Sequence, residues 1–231
     1  MPNTTSITPE ELEALRSYDT CTLANAIESF NVRLRNEGYT DGSIRLLTPR
    51  TEPMTGYAVT MRLRCANPPA EGHSYADRTD LWNYILTIPS PRIVVIEDMD
   101  VPPDVGAFIG ATHAGILLSL GCVGVITNGA VRDLPAIGKL PFHLHAGAVV
   151  PSHGYAHVFD FGKSVTVAGL PVSPGDLLHG DMHGVVNVPK EFAAKIPAAA
   201  EAVMERERRI LDLCSSPEFT VEKLRAIIRK P

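Results

Sequence analysis

Apolar positions along this chain change rhythm several times, and each rhythm predicts a different element. The opening reads Thr8-Pro9-Glu10-Glu11. This is a threonine N-cap, a proline at the first helical position and a glutamate three residues after the cap, a capping box. Leu12 and Leu15 then give a short helical stripe. A second helix is expected from Asp19 or Thr20, carrying Leu23, Ala26, Ile27 and Phe30. Residues 31–54 are polar and broken by Gly38, Gly42, Pro49 and Pro53, which predicts loop.

From Tyr57 the spacing shortens. Tyr57, Val59, Met61 and Leu63 alternate with smaller or polar residues, predicting a strand buried on one face. Asp77 is placed to cap a helix through Leu81, Tyr84, Ile85 and Ile88, stopped near Pro89 and Pro91. Ile93-Val94-Val95-Ile96 is apolar throughout, as a strand covered on both faces requires. Gly106 to Leu120 has helical spacing, with Gly121 as its C′ residue. Cys122 to Ile126 is again a buried strand, followed by an Asn128-Gly129 turn.

Between Pro141 and Pro189 short alternating runs (His157–Phe159, Ser164–Val167, Leu177-Leu178, Val185–Val188) are separated by Gly, Pro and Asp, a β-rich half. A helical tail is expected from Pro189, kinked at Pro197, and a last helix over Glu218–Arg229. The order α-α, β-α-β-α-β, several β, α-α suggests mixed α/β layers in one compact domain rather than a doubly wound sheet.

Composition narrows the function. Apolar residues make up 45 %, too many for disorder. With 21 basic against 26 acidic residues the net charge is −5, which argues against a nucleic-acid binder. The four cysteines, 21, 65, 122 and 214, form no C-x-x-C pair, as expected of a reduced, cytoplasmic chain. The first fifteen residues lack the pattern of a leader, and no run has the length of a membrane span.

The chemistry concentrates between Gly106 and Asp133. Gly110 near a helix start leaves backbone N–H groups free to meet an anion such as a carboxylate. Arg132 offers a bidentate guanidinium for a carboxylate or an enolate oxygen. Asp133 offers a hard oxygen to Mg²⁺ or Mn²⁺, which take one or two protein carboxylates and fill the remaining positions with water and substrate. A competing reading makes Arg132 and Asp133 a surface ion pair, with Asp133 capping a Leu134–Gly138 turn.

The run L-G-C-x-G-x-x-T-x-G-x-V-R-D ending at Asp133, followed by Pro174-Gly175-Asp176-Leu177-Leu178-His179-x-Asp181-x-His183-Gly184-Val185, resembles the RraA-like family. That family includes class II 4-hydroxy-4-methyl-2-oxoglutarate / 4-carboxy-4-hydroxy-2-oxoadipate aldolases and the ribonuclease E regulator RraA. The resemblance covers roughly residues 15–190. It implies a mixed α/β swivelling β/β/α domain, taken over residues 1–190 with its N-terminal helices, while the flanking C-terminal helices fall outside the resemblance. The extension over 191–231 would pack on the same domain or on a neighbouring subunit. It also implies a homotrimer or homohexamer with sites at subunit interfaces. In the aldolases the aspartate of the R-D pair, here Asp133, holds the metal. The arginine, here Arg132, binds the pyruvyl group, and the amides of Gly110, Ala111, Thr112 and His113 hold its carboxylate. The expected activity is carbon–carbon cleavage of a 4-hydroxy-2-oxo acid, or decarboxylation of oxaloacetate, through a pyruvate enolate. The alternative is a non-catalytic regulatory binding protein. One departure stands out: the aldolases carry an acidic residue directly after the loop glycine, where this chain has Ala111.

His113 lies in the same segment as an acid or base candidate, or as a plain helix residue. His143 and His145, with His153, His157, His179 and His183, offer a transition-metal alternative. His179 and His183 also read as lining the cleft or an interface, and Asp176 and Asp181 as turn formers. The six lysines (139, 163, 190, 195, 223, 230) fall in turns or at helix ends, against a Schiff-base aldolase, and no G-x-S-x-G elbow is present. Glu201, Glu205 and Glu207 on the tail helix are candidates to reach an adjoining site.

Overall fold

A computed structural model describes residues 7–70 and 77–229. The first six residues, read above for a leader, and Lys230 lie outside the described residues. Helices α1 (Pro9–Arg16) and α2 (Thr20–Glu28) precede the strands β1 (Arg45–Leu46) and β2 (Met54–Arg64). Next come α3 (Arg78–Thr87), β3 (Arg92–Asp98), β4 (Ala107–Ile109), α4 (Ala111–Ser119), β5 (Cys122–Thr127), β6 (Ala130–Val131) and α5 (Leu134–Ile137). The β-rich half supplies β7 (His143–Ala146), β8 (Ala148–Val149), β9 (His157–Phe161), β10 (Val165–Val167), β11 (Leu170–Val172), β12 (Leu177–Asp181) and β13 (Gly184–Val188). A short 3₁₀ turn, Lys190–Phe192, leads to α6 (Ile196–Cys214) and α7 (Val221–Ile228).

The main sheet has eight strands, ordered β1-β7-β5-β3-β2-β12-β13, with β9 also on β2. β2, β3, β5 and β7 run parallel. On its other edge β2 pairs antiparallel with β12 through Met54–Tyr57 and with β9 through Met61–Arg64. One long strand thus serves two partners in succession. Alternation along the strands sends Val59, Met61, Leu63, Val94 and Ile96 to a face covered by α3 and α4. Met54, Ala58, Ile93 and Val95 go to the opposite face, covered by the β10–β11 hairpin. A third cluster joins Leu12, Leu15, Leu23 and Ile27 of the amino-terminal helices to Leu177, Val186, Val188, Ile196 and Ala200. Fully burying one such Leu or Ile contributes about 1.5–3 kcal/mol.

Local signals explain most helix starts. Glu11 N–H donates to the Thr8 hydroxyl and the Glu11 carboxylate accepts from Thr8 N–H, closing the expected capping box. Asp19, Asp77 and Thr220 accept first-turn N–H groups at α2, α3 and α7. Gly121 has φ of +74°, the left-handed conformation its place after α4 requires. Three expectations are corrected. β2 is buried on both faces rather than one, because the β10–β11 hairpin covers the second. The helix expected from Gly106 begins only at Ala111, since Ala107–Ile109 pair as a strand. Pro197 does not kink a helix: it sits in the first turn of α6, where its missing N–H costs nothing.

Candidate active site

A small parallel sheet, β4-β6-β8, builds the site. Its strands are two or three residues long, and Ile109 pairs with Val131. The next residue of each strand is therefore Gly110 on one side and Arg132 on the other, and Arg132 N–H donates to the Ile109 carbonyl at 2.9 Å. This is the carboxyl end of parallel strands, where α/β sheets hold ligands. Gly110 is the N-cap of α4, with no side chain of its own to satisfy the first turn.

Asp133 takes that role from across the strand ends. Its Oδ2 accepts the Ala111 N–H at 3.0 Å and lies 3.7 Å from Arg132 Nε. Its backbone is left-handed, φ 59°, which aims the side chain back at α4 rather than onto α5. Asp133 does stand at the N-cap of α5, yet its carboxylate makes no capping bond there. A Cβ on Gly110 would come within 2.6 Å of Asp133 Oδ2 and 3.1 Å of Arg132 Nε. The glycine thus lets both side chains close on the helix start. Asp133 Oδ1 accepts no hydrogen bond from the described residues, and Arg132 Nε is buried without an acceptor at hydrogen-bond distance among them. Arg132 Nη1 donates to the Pro151 carbonyl at 3.4 Å, fixing the far end of the guanidinium. By position in the first turn, the N–H groups of Thr112 and His113 have no intrahelical acceptor. The site is polar, cationic toward the helix start and open to solvent at Asp133, whose side chain is 42 % exposed.

His113 packs its ring on Phe108, centroids 4.7 Å apart, and the Arg78 guanidinium lies 5.8 Å from the centre of the same Phe108 ring. Burial lowers the His113 pKa, and the charges of Arg78, His153 and Arg132 lower it further. At neutral pH it is an uncharged imidazole. Arg78, unremarked in the sequence, lines the apolar crevice under His113 with Phe108 and Trp82.

A second acidic group escaped the sequence reading. Asp98 and Asp100 are buried where β3 ends. Asp100 Oδ2 accepts the Ala66 N–H at 2.8 Å, and Asp98 Oδ1 accepts the Asp100 N–H at 3.0 Å. Asn128 clasps the Asp98 backbone through both its amide groups. Burial pushes the Asp98 carboxyl up to about 6. The available signal was an acidic Glu97-Asp98-x-Asp100 run directly after an apolar strand.

The histidines do not assemble as one metal site. His143 Nε2 lies 2.8 Å from the Glu52 carbonyl, His145 Nε2 2.8 Å from the Asp181 carbonyl, and His157 Nδ1 2.7 Å from the Tyr155 carbonyl. His179 Nδ1 meets the Thr20 hydroxyl at 3.1 Å. Burial drives His145 and His179 down to about 4, so both are neutral packing groups. Asp181 is more than a turn former: its Oδ2 accepts the Thr20 N–H at 2.9 Å and its Oδ1 accepts the His183 N–H at 2.8 Å. Asp176 shapes its own loop, accepting from Ser173 N–H and Asn187 Nδ2. Glu201 accepts from the Tyr18 hydroxyl, and Glu205 pairs with Arg208 on the same helix.

Comparison with known proteins bears on the family and the fold. The model of the RraA-like family, described as Aldolase/RraA, matches residues 20–187. An uncharacterised protein of Methanocaldococcus jannaschii is 35 % identical over 91 residues, 39 % of this chain and 44 % of its own. A Halalkalibacterium halodurans protein provisionally named 4-hydroxy-4-methyl-2-oxoglutarate aldolase is 30 % identical over 126 residues, 51 % of this chain and 59 % of its own. The chain thus spans about half the length of the curated relatives it matches. Among solved structures, an uncharacterised Pseudomonas syringae protein superposes with a TM-score of 0.74 at 24 % identity, covering 96 % of each chain. A Streptomyces coelicolor protein, described as an unusual member of the RNase ES inhibitor RraA family, gives 0.68 at 20 % identity, covering 87 % of this chain and 95 % of its own. These two show the fold. No helix among the described residues is long and apolar enough to cross a membrane.

Proposed function

The chain belongs to the RraA-like family, and from that premise we propose that it is a divalent-metal-dependent lyase. Its substrate is a 4-hydroxy-2-oxo acid or oxaloacetate, cleaved to a pyruvate enolate. The observation that carries this reading is the convergence of Asp133 and Arg132 on Gly110 at the start of α4.

Asp133 is the residue to hold Mg²⁺ or Mn²⁺. The fit is supported by its uncommitted Oδ1 and its exposure. A single protein carboxylate suffices, since Mg²⁺ completes its shell with water and substrate oxygens. When bound, the ion supplies charge stabilisation of the oxygen that becomes anionic on cleavage. The chain's own groups do the remainder. The Thr112 and His113 N–H groups, at the positive end of α4, hold the substrate's C1 carboxylate. Arg132 sets its guanidinium, held at the Pro151 carbonyl, beside the helix start for the developing enolate oxygen, a preorganised positive charge worth more in the transition state than in the ground state. His113, neutral and stacked, relays a proton through solvent rather than serving as a resident acid. Ala111 supplies no carboxylate to orient a water, so that duty falls to solvent or to a carboxylate of a neighbouring subunit in a homotrimer or homohexamer.

The test measures pyruvate release from oxaloacetate with Mg²⁺, with and without EDTA. Activity is expected to vanish with chelator and to fall by roughly 10²-fold or more in Asp133→Ala, the scale of losing one electrostatic stabiliser. Equal rates with and without EDTA refute the metal role. A second reading, a regulatory binding protein without catalysis, is favoured by Ala111 alone. Thermal stabilisation by Mg²⁺ with oxalate speaks for the lyase, and no response speaks for the regulator.

A further inference from the structure

We propose that Asp19, Cys21 and His183 form a Zn²⁺ site at the start of α2, separate from Asp133. One donor atom from each lies within 4.8 Å of the others, and all three residues are exposed. Among the described residues this is the one such grouping. A thiol, an imidazole and a carboxylate are a donor set for a borderline-soft dication, not for Mg²⁺.

The surroundings hold the ligands in place. Asp19 is the α2 N-cap: Oδ1 accepts the Thr22 N–H at 2.9 Å and Oδ2 the Thr22 hydroxyl at 2.8 Å, which fixes its rotamer. His183 sits in the β12–β13 turn, and its Nδ1 lies 3.1 Å from Asp181 Oδ1. That contact leaves Nε2 as the free nitrogen, in the carboxylate–histidine arrangement that orients metal-bound imidazoles. The buried Asp181 also accepts the Thr20 N–H, so one carboxylate ties the cysteine-bearing helix start to the histidine-bearing turn. Zn²⁺ binds the cysteine as the thiolate, its proton passing to solvent.

Zn–S of ~2.3 Å and Zn–N of ~2.0 Å put tetrahedral donors about 3.5 Å apart. The three donor atoms, already within 4.8 Å of one another, draw in to that spacing when the ion binds. Solvent occupies the fourth position, and the ion fastens the amino-terminal helix to the β12–β13 hairpin.

The experiment uses the full chain carrying Cys214→Ser, which removes the other exposed thiol. Co²⁺ is titrated while the thiolate-to-cobalt charge-transfer band is read, then displaced with Zn²⁺. One equivalent with a thiolate band is expected. Adding Cys21→Ser abolishes the band, and His183→Ala weakens Zn²⁺ binding at least tenfold. Asp133→Ala binds Zn²⁺ unchanged, and Mg²⁺-dependent pyruvate release survives Cys21→Ser, so the two sites fail independently. Absence of a thiolate band in the parent overturns the proposal, as does undiminished Zn²⁺ affinity in either ligand variant.

Discussion

Asp133 and Asp181 perform the same local act in opposite surroundings. Each reaches from a strand end to accept the first N–H of a distant helix, Ala111 of α4 or Thr20 of α2. Asp181 is 6 % exposed and both its oxygens are engaged. Burial alone would raise its pKa, but the hydrogen bonds from Thr20 and His183 outweigh that and hold the carboxyl below its usual range. Asp133 is 42 % exposed and keeps an oxygen uncommitted among the described residues. The same motif is a rivet where every lone pair is used and a candidate reaction centre where one is spare.

The largest effect that sharpens this contrast comes from pH. His145 and His179, packed beside Asp181, have folded pKa values of about 4 against 6.5 unfolded, so their stabilisation is complete above pH 6.5 and is lost as pH falls toward 4. A tenfold change in proton affinity corresponds to ~1.4 kcal/mol, so the loss comes to about 3 kcal/mol per histidine. Asp98, raised to about 6, works in the other direction, stabilising at low pH and losing that as pH rises through 6. Denaturant unfolding at pH 4.5 and 7 should show a net decline at the lower value. A flat profile contradicts the buried neutral histidines.

Next in size, Asp181→Ala strands the Thr20 and His183 N–H groups and should cost about 3 kcal/mol. Asp133→Ala, at an exposed site, should cost under ~1 kcal/mol. Similar losses for the two variants, read from urea midpoints, would erase the comparison. Smallest, Gly110→Ala has an ordinary extended φ of −132°, so its strain falls on the movable ends of Asp133 and Arg132. Stability should stay within ~1 kcal/mol, while pyruvate release drops about tenfold, equivalent to ~1.4 kcal/mol of barrier. Lost stability with full activity would make that corner structural.

What the sequence revealed and what it hid divide along chain distance. Thr8, Asp19 and Asp77 announced their helices because a cap and its acceptors lie within three residues. The Arg132-Asp133 pair after a buried strand was legible for the same reason. Asp181 read as a turn residue because its partner, Thr20, stands 161 positions away. β4, β6 and β8 are too short to show any period, and the segment entering α4 passed for one continuous helix. The second covered face of β2 depended on a hairpin about a hundred residues later.

The cluster that unites α1 and α2 with β12, β13 and α6 has a temporal corollary. During synthesis α1 and α2 emerge well before β12, β13 and α6, so apart from Tyr57 of β2 their apolar stripe waits long for its cover. Such remote pairings slow folding, and the nascent amino end must stay unaggregated meanwhile. Helices made early relative to their partners are thus among the last of these elements to find their place.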